Sequence, residues 1–195
     1  MTTKKKYKLG KKEANGLHRV IALRSFGTVA KGEVGGFIEK EANLSHEGNA
    51  WVSGDAWVYG DALVYCNALV SGDAWVSGDA RVYGDALVSG DALVSGDAWV
   101  YGDARVYGDA LVYGDARVFG NARVFGNVRV YGNAWVSGDA RVYGNVRVYG
   151  NALVSGRFDV QCAIDFELPR VTLSTTAQAR QLRDFLVKLD KRVKS

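Results

Sequence analysis

The stretch GDARVYGDALVYGDARVFGNARVFGNVRVYGN, residues 102–133, divides into hexads: GDARVY, GDALVY, GDARVF, GNARVF, GNVRVY and the start of a sixth. A packed domain of mixed sequence needs no six-residue period. Residues n and n+6 must therefore meet alike surroundings, which is the mark of a repeat architecture. The period extends well beyond the quoted stretch. Every sixth residue from Val52 to Val154 is Val, 18 positions without an exception. The Gly two places later runs from Gly54 to Gly156, broken only by Cys66. Asp or Asn follows each time from Asp55 to Asn151, and then Ala, replaced by Val at Val128 and Val146.

Each unit reads as a short strand and a corner. In Ala-x-Val-x, alternation puts Ala and Val on one side and both variable residues on the other. Gly accepts backbone angles other residues avoid, and Asp or Asn bonds nearby backbone groups, so Gly-Asp and Gly-Asn turn the chain. A helix is excluded, because apolar residues six apart with an intervening Gly make no 3.6-residue stripe. The spacing predicts an all-β parallel β-helix with small Ala and branched Val inside.

The unit VYGDAR resembles that of the hexapeptide-repeat left-handed β-helix superfamily, over about Ile38 to Phe166. The resemblance implies a triangular prism with three hexads per coil, and it alone implies the left hand. The entry segment LHRVIALRSFGTVAKGEVGGFIEKEANLSHEGNAWV, residues 17–52, resembles that of bacterial and phage hexapeptide-repeat proteins labelled putative acyltransferases. Enzymes of the superfamily place a catalytic His where subunits meet, take an acyl group from coenzyme A, and often extrude a loop from one corner. Here the two His residues, His46 and His18, are the only candidates for that base, and no loop interrupts residues 50–156. His46 stands six residues before Val52, at a Val-equivalent position. Fold likeness alone does not carry an activity.

Three segments are expected: an N-terminal β cap over residues 1–37, the β-helix over 38–168, and a C-terminal helix over 169–195. A solenoid must cover its end strands. In the cap, LHRVIALRSF reads as strand and AKGEVGGF as turn. In the last segment, Leu182, Phe185, Leu186, Leu189 and Val193 form one apolar helical face after a cap at Ser174, Thr175 or Thr176. No apolar run reaches membrane-spanning length and MTTKKKYKLG has no signal-like core, so a cytoplasmic protein with no membrane partner is expected. Cys66 and Cys162 lie more than five coils apart, roughly 25 Å at one layer per coil, too far to bridge each other. Two Cys and two His at scattered positions give no metal-ligand spacing.

Charge is unevenly spread. The chain is +4 overall, but residues 50–103 carry eight Asp and one Arg, and residues 104–156 six Arg and three Asp. The basic surplus otherwise lies in the two terminal segments, which disfavours a nucleic-acid duplex as partner. With three hexads per coil, Arg105, Arg123 and Arg141 stack beside Tyr107, Phe125 and Tyr143, a candidate site for an anionic ligand in which ring contacts hold the arginines together. Asp55, Asp73, Asp91 and Asp109 share one corner, and Asp61, Asp79, Asp97 and Asp115 another. Such columns bond turn N–H groups or hold cations, and Asn127, Asn145, Asn133 and Asn151 would form amide ladders. Contiguous outward ladders of Trp and Leu are expected to pack rod against rod. The interface candidates are Trp51, Trp57, Leu69, Trp75, Leu87 and Leu93, in a homodimer or homotrimer. The leading expectation is thus a non-catalytic, self-associating scaffold without cofactor. The alternatives are a coenzyme A-dependent acyltransferase and a module that sequesters an anionic small ligand such as a nucleotide.

Overall fold

The computed structural model describes residues 5–156, 159–160 and 172–173. Three parallel sheets wind into a β-solenoid in which strands three hexads apart are neighbours: Trp51 lies on Leu69, Leu69 on Leu87 and Leu87 on Arg105. The first face is a nine-stranded sheet and the second and third faces have seven strands each. Each strand uses its two outward residues as donors to the next coil. Trp57 N–H bonds the Ala74 carbonyl at 2.9 Å, and Tyr59 N–H bonds that of Val76 at 3.0 Å. The repeating ladder therefore runs from residue i to i+17, and each coil templates the next.

Inside, the repeating Val and Ala side chains from Val52 to Val154 are all 2 % exposed or less. No aromatic or long side chain enters this part of the prism, so its width is set by Val and Ala alone. Val128 and Val146, three hexads apart, replace Ala on the same corner of successive coils, so the extra bulk is stacked rather than scattered. The corners explain the glycines. Gly90 has φ of +70°, and a Cβ there would stand 3.0 Å from the Gly108 nitrogen in the coil above. Cys66 is the single non-glycine with positive φ among the described residues, at 60°, and it is exposed with a free thiol.

The N-terminal cap is an antiparallel meander, β1 (Tyr7–Lys12), β2 (His18–Ala22) and β3 (Val34–Ile38), which joins the first face by pairing β3 with Trp57–Val58. The expected strand at 17–26 is shorter than predicted and is β2, His18–Ala22. The expected turn at 30–37 is shorter than predicted, because VGGF belongs to β3. Gly35 and Gly36 are buried there so that β3 can lie against Val52 and Ala56, where a Cβ would fall within 3 Å of their carbonyl oxygens.

A one-turn helix, Glu41–Asn43, then leads into the first coil. Asn43 is fully buried and bonds the Gly60 and Ala62 carbonyls at 3.0 and 2.9 Å. The expected position of His46 is corrected at this entry. Leu44, not His46, bridges Val64, because the chain bulges by two residues before the regular register begins at Val52. The apolar Leu44 takes the inward place and turns His46 to the side.

The last described strands, Asp159–Val160 and Thr172–Leu173, extend the second and third faces. Thr172–Leu173 lies within the segment expected to be helical and is a strand. The expected helix after it, with its apolar face, lies outside the described residues, as do Phe166 and Cys162.

Val100 sits between Val82 and Val118 in an inward column with no polar neighbour. Val100→Asp is expected to cost on the order of several kcal/mol, since an unpaired carboxylate has no partner there. The check is the denaturation midpoint, which is predicted to fall sharply. An unchanged midpoint would place Val100 on the outside.

Candidate functional site

The two histidines are held in the cap and its junction with the first coil. The His46 ring stacks on Tyr7 with centroids 4.2 Å apart. Its Nδ1 accepts the backbone N–H of Lys6 at 3.1 Å. An amide nitrogen only donates, so the ring proton is on Nε2, which donates to Glu41 Oε1 at 2.7 Å. Both ring nitrogens are thus engaged, and His46 has no free position to take a proton from a substrate. Glu41 also pairs with Lys5 at 2.7 Å, and Lys5 and then His46 hold its carboxyl below the usual range. His18, on β2, uses Nδ1 to donate to the Gly10 carbonyl at 2.9 Å. Among the described residues no carboxylate orients it.

Lys6 and Tyr7 complete this junction, and sequence reasoning missed both. Lys6 begins as part of a lysine run that reads as a solvated tail, yet it is fully buried. Its Nζ bonds the Ala50 carbonyl at 2.7 Å, with the Glu47 and Gly48 carbonyls at 3.5 Å, and stands 4.8 Å from the Phe26 ring centre. Burial, with Arg24 nearby, lowers its pKa to about 8. The Tyr7 hydroxyl lies 2.7 Å from the Leu44 carbonyl and 2.9 Å from that of Glu41, and burial followed by Glu41 pushes its pKa up. Trp51 is enclosed by the same group, against Phe26 and Tyr7. It is 2 % exposed, which removes it from the surface of contact between copies where it was expected. An open hollow of about 430 Å³ beside His46 and Glu41 is walled by Leu44, Leu63, Val64 and Tyr65. Its walls offer mostly carbon, and its one imidazole is already committed.

The outward columns are the regular feature of the body. Arg105, Arg123 and Arg141 are in register on the second face and exposed, and Tyr107, Phe125 and Tyr143 stack beside them with centroids 4.8 and 5.0 Å apart. The arginine–ring contacts of the body occur on the third face instead, where Arg81, Trp99, Arg117 and Trp135 alternate. There Arg81 and Arg117 lie 5.1 and 4.8 Å from the Trp99 ring, and Arg117 lies 5.2 Å from Trp135. Interleaving separates like charges by a whole coil, which the uninterrupted column on the second face does not. Among the described residues, no arginine from Arg81 to Arg147 forms an ion pair.

The other interface candidates are at the surface. Trp57 and Trp75 stack at 5.1 Å on the first face, and Trp75 and Leu69 are about 40 % exposed, with Leu87 and Leu93 half-buried. At the corners, the expected amide ladder appears in part, as Asn133 donating to Asn151 at 3.4 Å, with no such bond between Asn127 and Asn145 among the described residues. Two more, Asn67 to Asp85 and Asn121 to Asp139, relieve two of the three carboxylates of the third corner at 3.1 Å each. The cap supplies cations to the other two corners: Arg19 meets Asp55 and Lys40 meets Asp61, both at 2.6 Å. Among the described residues no three His, Cys, Asp or Glu side chains group as metal ligands.

Eight stretches match the YdcK beta-solenoid repeat: residues 74–90, 80–96, 86–102, 98–114, 104–120, 116–132, 122–138 and 140–156. Each spans about one coil, and together they cover less than half of the chain. The chain is a β-solenoid repeat protein similar to that repeat. A comparison with curated proteins finds no match.

The buried Lys6 gives the junction a pH dependence. Its pKa of about 8 is below the ordinary 10.5 it regains on unfolding. Between those values the unfolded chain binds more protons, so stability must rise with pH. Wild type is expected to gain more in melting temperature from pH 8 to 9.5 than Lys6→Met. That window ends before ionisation of Tyr7, whose raised pKa acts in the opposite sense. Equal slopes would show that Lys6 does not titrate in the folded cap.

Proposed function

We propose that the protein is a non-catalytic scaffold whose work is done by its outward faces, through association with further copies of itself. The observation that carries this reading is the unbroken three-hexad register of the body from Val52 to Val154, with apolar residues left in line on its surface. A chain this regular builds no loop over a reacting group. The engagement of both His46 nitrogens argues against the acyltransferase alternative. A cytoplasmic location and the lack of a cofactor are accompanying proposals.

Apolar contact would drive association. At ~25 cal/mol per Å² of apolar surface, burial of a few hundred Å² contributes several kcal/mol, whereas an exposed charge pair contributes roughly 1 kcal/mol or less. Light scattering is expected to show a dimer or trimer for wild type and a lighter species for Trp57→Lys with Trp75→Lys. Acetyl-coenzyme A turnover on amine and sugar acceptors is expected to be absent. A monomeric wild type would overturn self-association, and turnover abolished by His46→Ala would establish the enzyme.

One observation favours a second reading. The exposed column Arg105–Arg123–Arg141 forms no ion pair among the described residues and has a ring ladder beside it, which suits a planar anionic ligand such as a nucleotide. Calorimetric titration with a nucleotide checks it. Binding weakened about tenfold or more by Arg123→Gln supports this site, and no heat from the wild type removes it.

A further inference from the structure

The first face is complementary to itself when one copy is turned end over end. We infer that the partner of this face is a second copy of the chain, packed antiparallel about a two-fold axis that runs along the strands between Leu93 and Leu111. The inference rests on the self-association proposed above and specifies its face and direction.

Two facts about the face lead there. The first is steric. Along its second outward column, small Ser77 and Ser95 are followed by bulky Tyr113 and Tyr131, all in register from coil to coil. The tyrosines stack at 4.9 Å, whereas Ser77 is 8 % exposed and leaves a recess. A two-fold axis along the strands keeps each column on its own counterpart and inverts its order. Ser95 then faces Tyr113 of the other copy and Ser77 faces Tyr131, so projections meet recesses over the four central strands, and at the outer strands Tyr59 meets Tyr149 ring to ring. In the first column, Leu93 faces Leu111 at the axis and Trp75 faces Arg129, whose methylene stem covers apolar surface while its head group stays polar.

The second fact is electrostatic. Arg129 and Arg147 occupy the C-terminal half of this column, exposed and without an ion pair among the described residues. At the same edge of the N-terminal half stand Asp73 and Asp91, exposed and likewise without a cation. Within one rod Asp73 and Arg129 are three coils apart, ~14 Å at one layer per coil, too far to pair. Inversion brings Arg129 opposite Asp73 and beside Asp91, twice by symmetry. Asp91 then approaches Asp109 near the axis, and Arg129 lies one coil from both. A two-fold along the rod would instead set acidic half beside acidic half and pair no arginine.

The other faces lack this self-complementarity. On the second face Trp51, the inverted counterpart of Arg141, is buried beneath the cap. On the third face the arginines are already interleaved with tryptophans of the same chain. The area is sufficient: six strands at ~4.8 Å and a width of roughly 17 Å give on the order of 500 Å² per copy. The pair therefore reaches about 1,000 Å², the lower bound for a specific interface. A reversible dimer is expected.

Sedimentation equilibrium and cross-linking test the inference together. In a Cys66→Gly, Cys162→Ser background, chains carrying Ser95→Cys are mixed with chains carrying Tyr113→Cys and oxidised. A covalent heterodimer is expected, and little cross-linking from Ser95→Cys alone. Arg129→Glu is expected to weaken the dimer at least tenfold, and Asp73→Arg in the same chain to restore it, a rescue that no contact within one rod can produce. A dimer without the 95–113 cross-link, or without rescue, overturns the antiparallel face and leaves self-association standing. A wild type that stays monomeric at every concentration overturns both.

Discussion

Everything in this molecule depends on equal coil length. The ladder from residue i to i+17 closes only if each circuit of the prism uses the same number of residues, and the Val and Ala side chains fill the interior only if each circuit has the same width. The two demands reinforce each other. One extra residue in a strand would turn its Val outward and leave backbone groups unpaired in two adjacent coils, since alternation has a period of two. The corner glycines satisfy both at once. Their positive φ turns the chain within two residues, and their bare α-carbons let Gly90 lie against Gly108 without forcing the coils apart. That is why the repeat tolerates wide choice outside and almost none inside.

Equal coils have a consequence at the surface. Whatever stands at an outward position stands one layer, about 4.8 Å, from its counterparts above and below. Flat rings gain from this, and Tyr65, Tyr83, Tyr101 and Phe119 form a continuous stack at 4.8–4.9 Å. Charges lose from it. The chain meets that difficulty differently on each face: Trp between arginines on the third, Asn beside Asp at one corner, and cap cations on the first carboxylates of the other two. Columns without such relief, among them Arg129–Arg147 and Asp73–Asp91 on the first face and Arg105–Arg123–Arg141 on the second, have charge left for an external partner.

The body was legible in the sequence because a single local rule repeats there, and a side chain's surroundings follow from its place within the three-hexad coil. The hand of the coil was not, since the same spacing serves either hand. The cap was only partly legible, because its rule is tertiary. Residues 30–37 look like a turn from their glycines, yet Gly35 and Gly36 are there for close approach to Val52 and Ala56. Counting back by six assigned His46 to the interior, but a two-residue bulge gives that place to Leu44. Trp51 has the outward phase of the ladder and is buried because the meander lies over it. Lys6 had no signal, since its three acceptors are carbonyls far along the chain, at Glu47, Gly48 and Ala50.

The cap's chemistry explains why unpaired acid begins at the second coil and not the first. Residues 1–49 carry 10 Lys and Arg against five Glu, and this surplus sits at the acidic end of the rod. Two of its cations are committed to the first carboxylate of their columns, Arg19 to Asp55 and Lys40 to Asp61. Arg19 is fixed there by the Gly35 and Gly54 carbonyls and by the Phe37 ring 3.8 Å from its head group, so its charge stays at the first coil. Screening by solvent confines such a charge to roughly a Debye length, ~8–10 Å in ordinary salt, which is about two coils. Asp91 lies two coils from Asp55, at the margin of that influence, and Asp73 lies one coil away, but the Arg19 charge is already balanced by Asp55 and leaves neither with a cation of its own. The cap therefore neutralises its own junction and leaves the middle of the acidic half charged, at the height that inversion brings opposite Arg129.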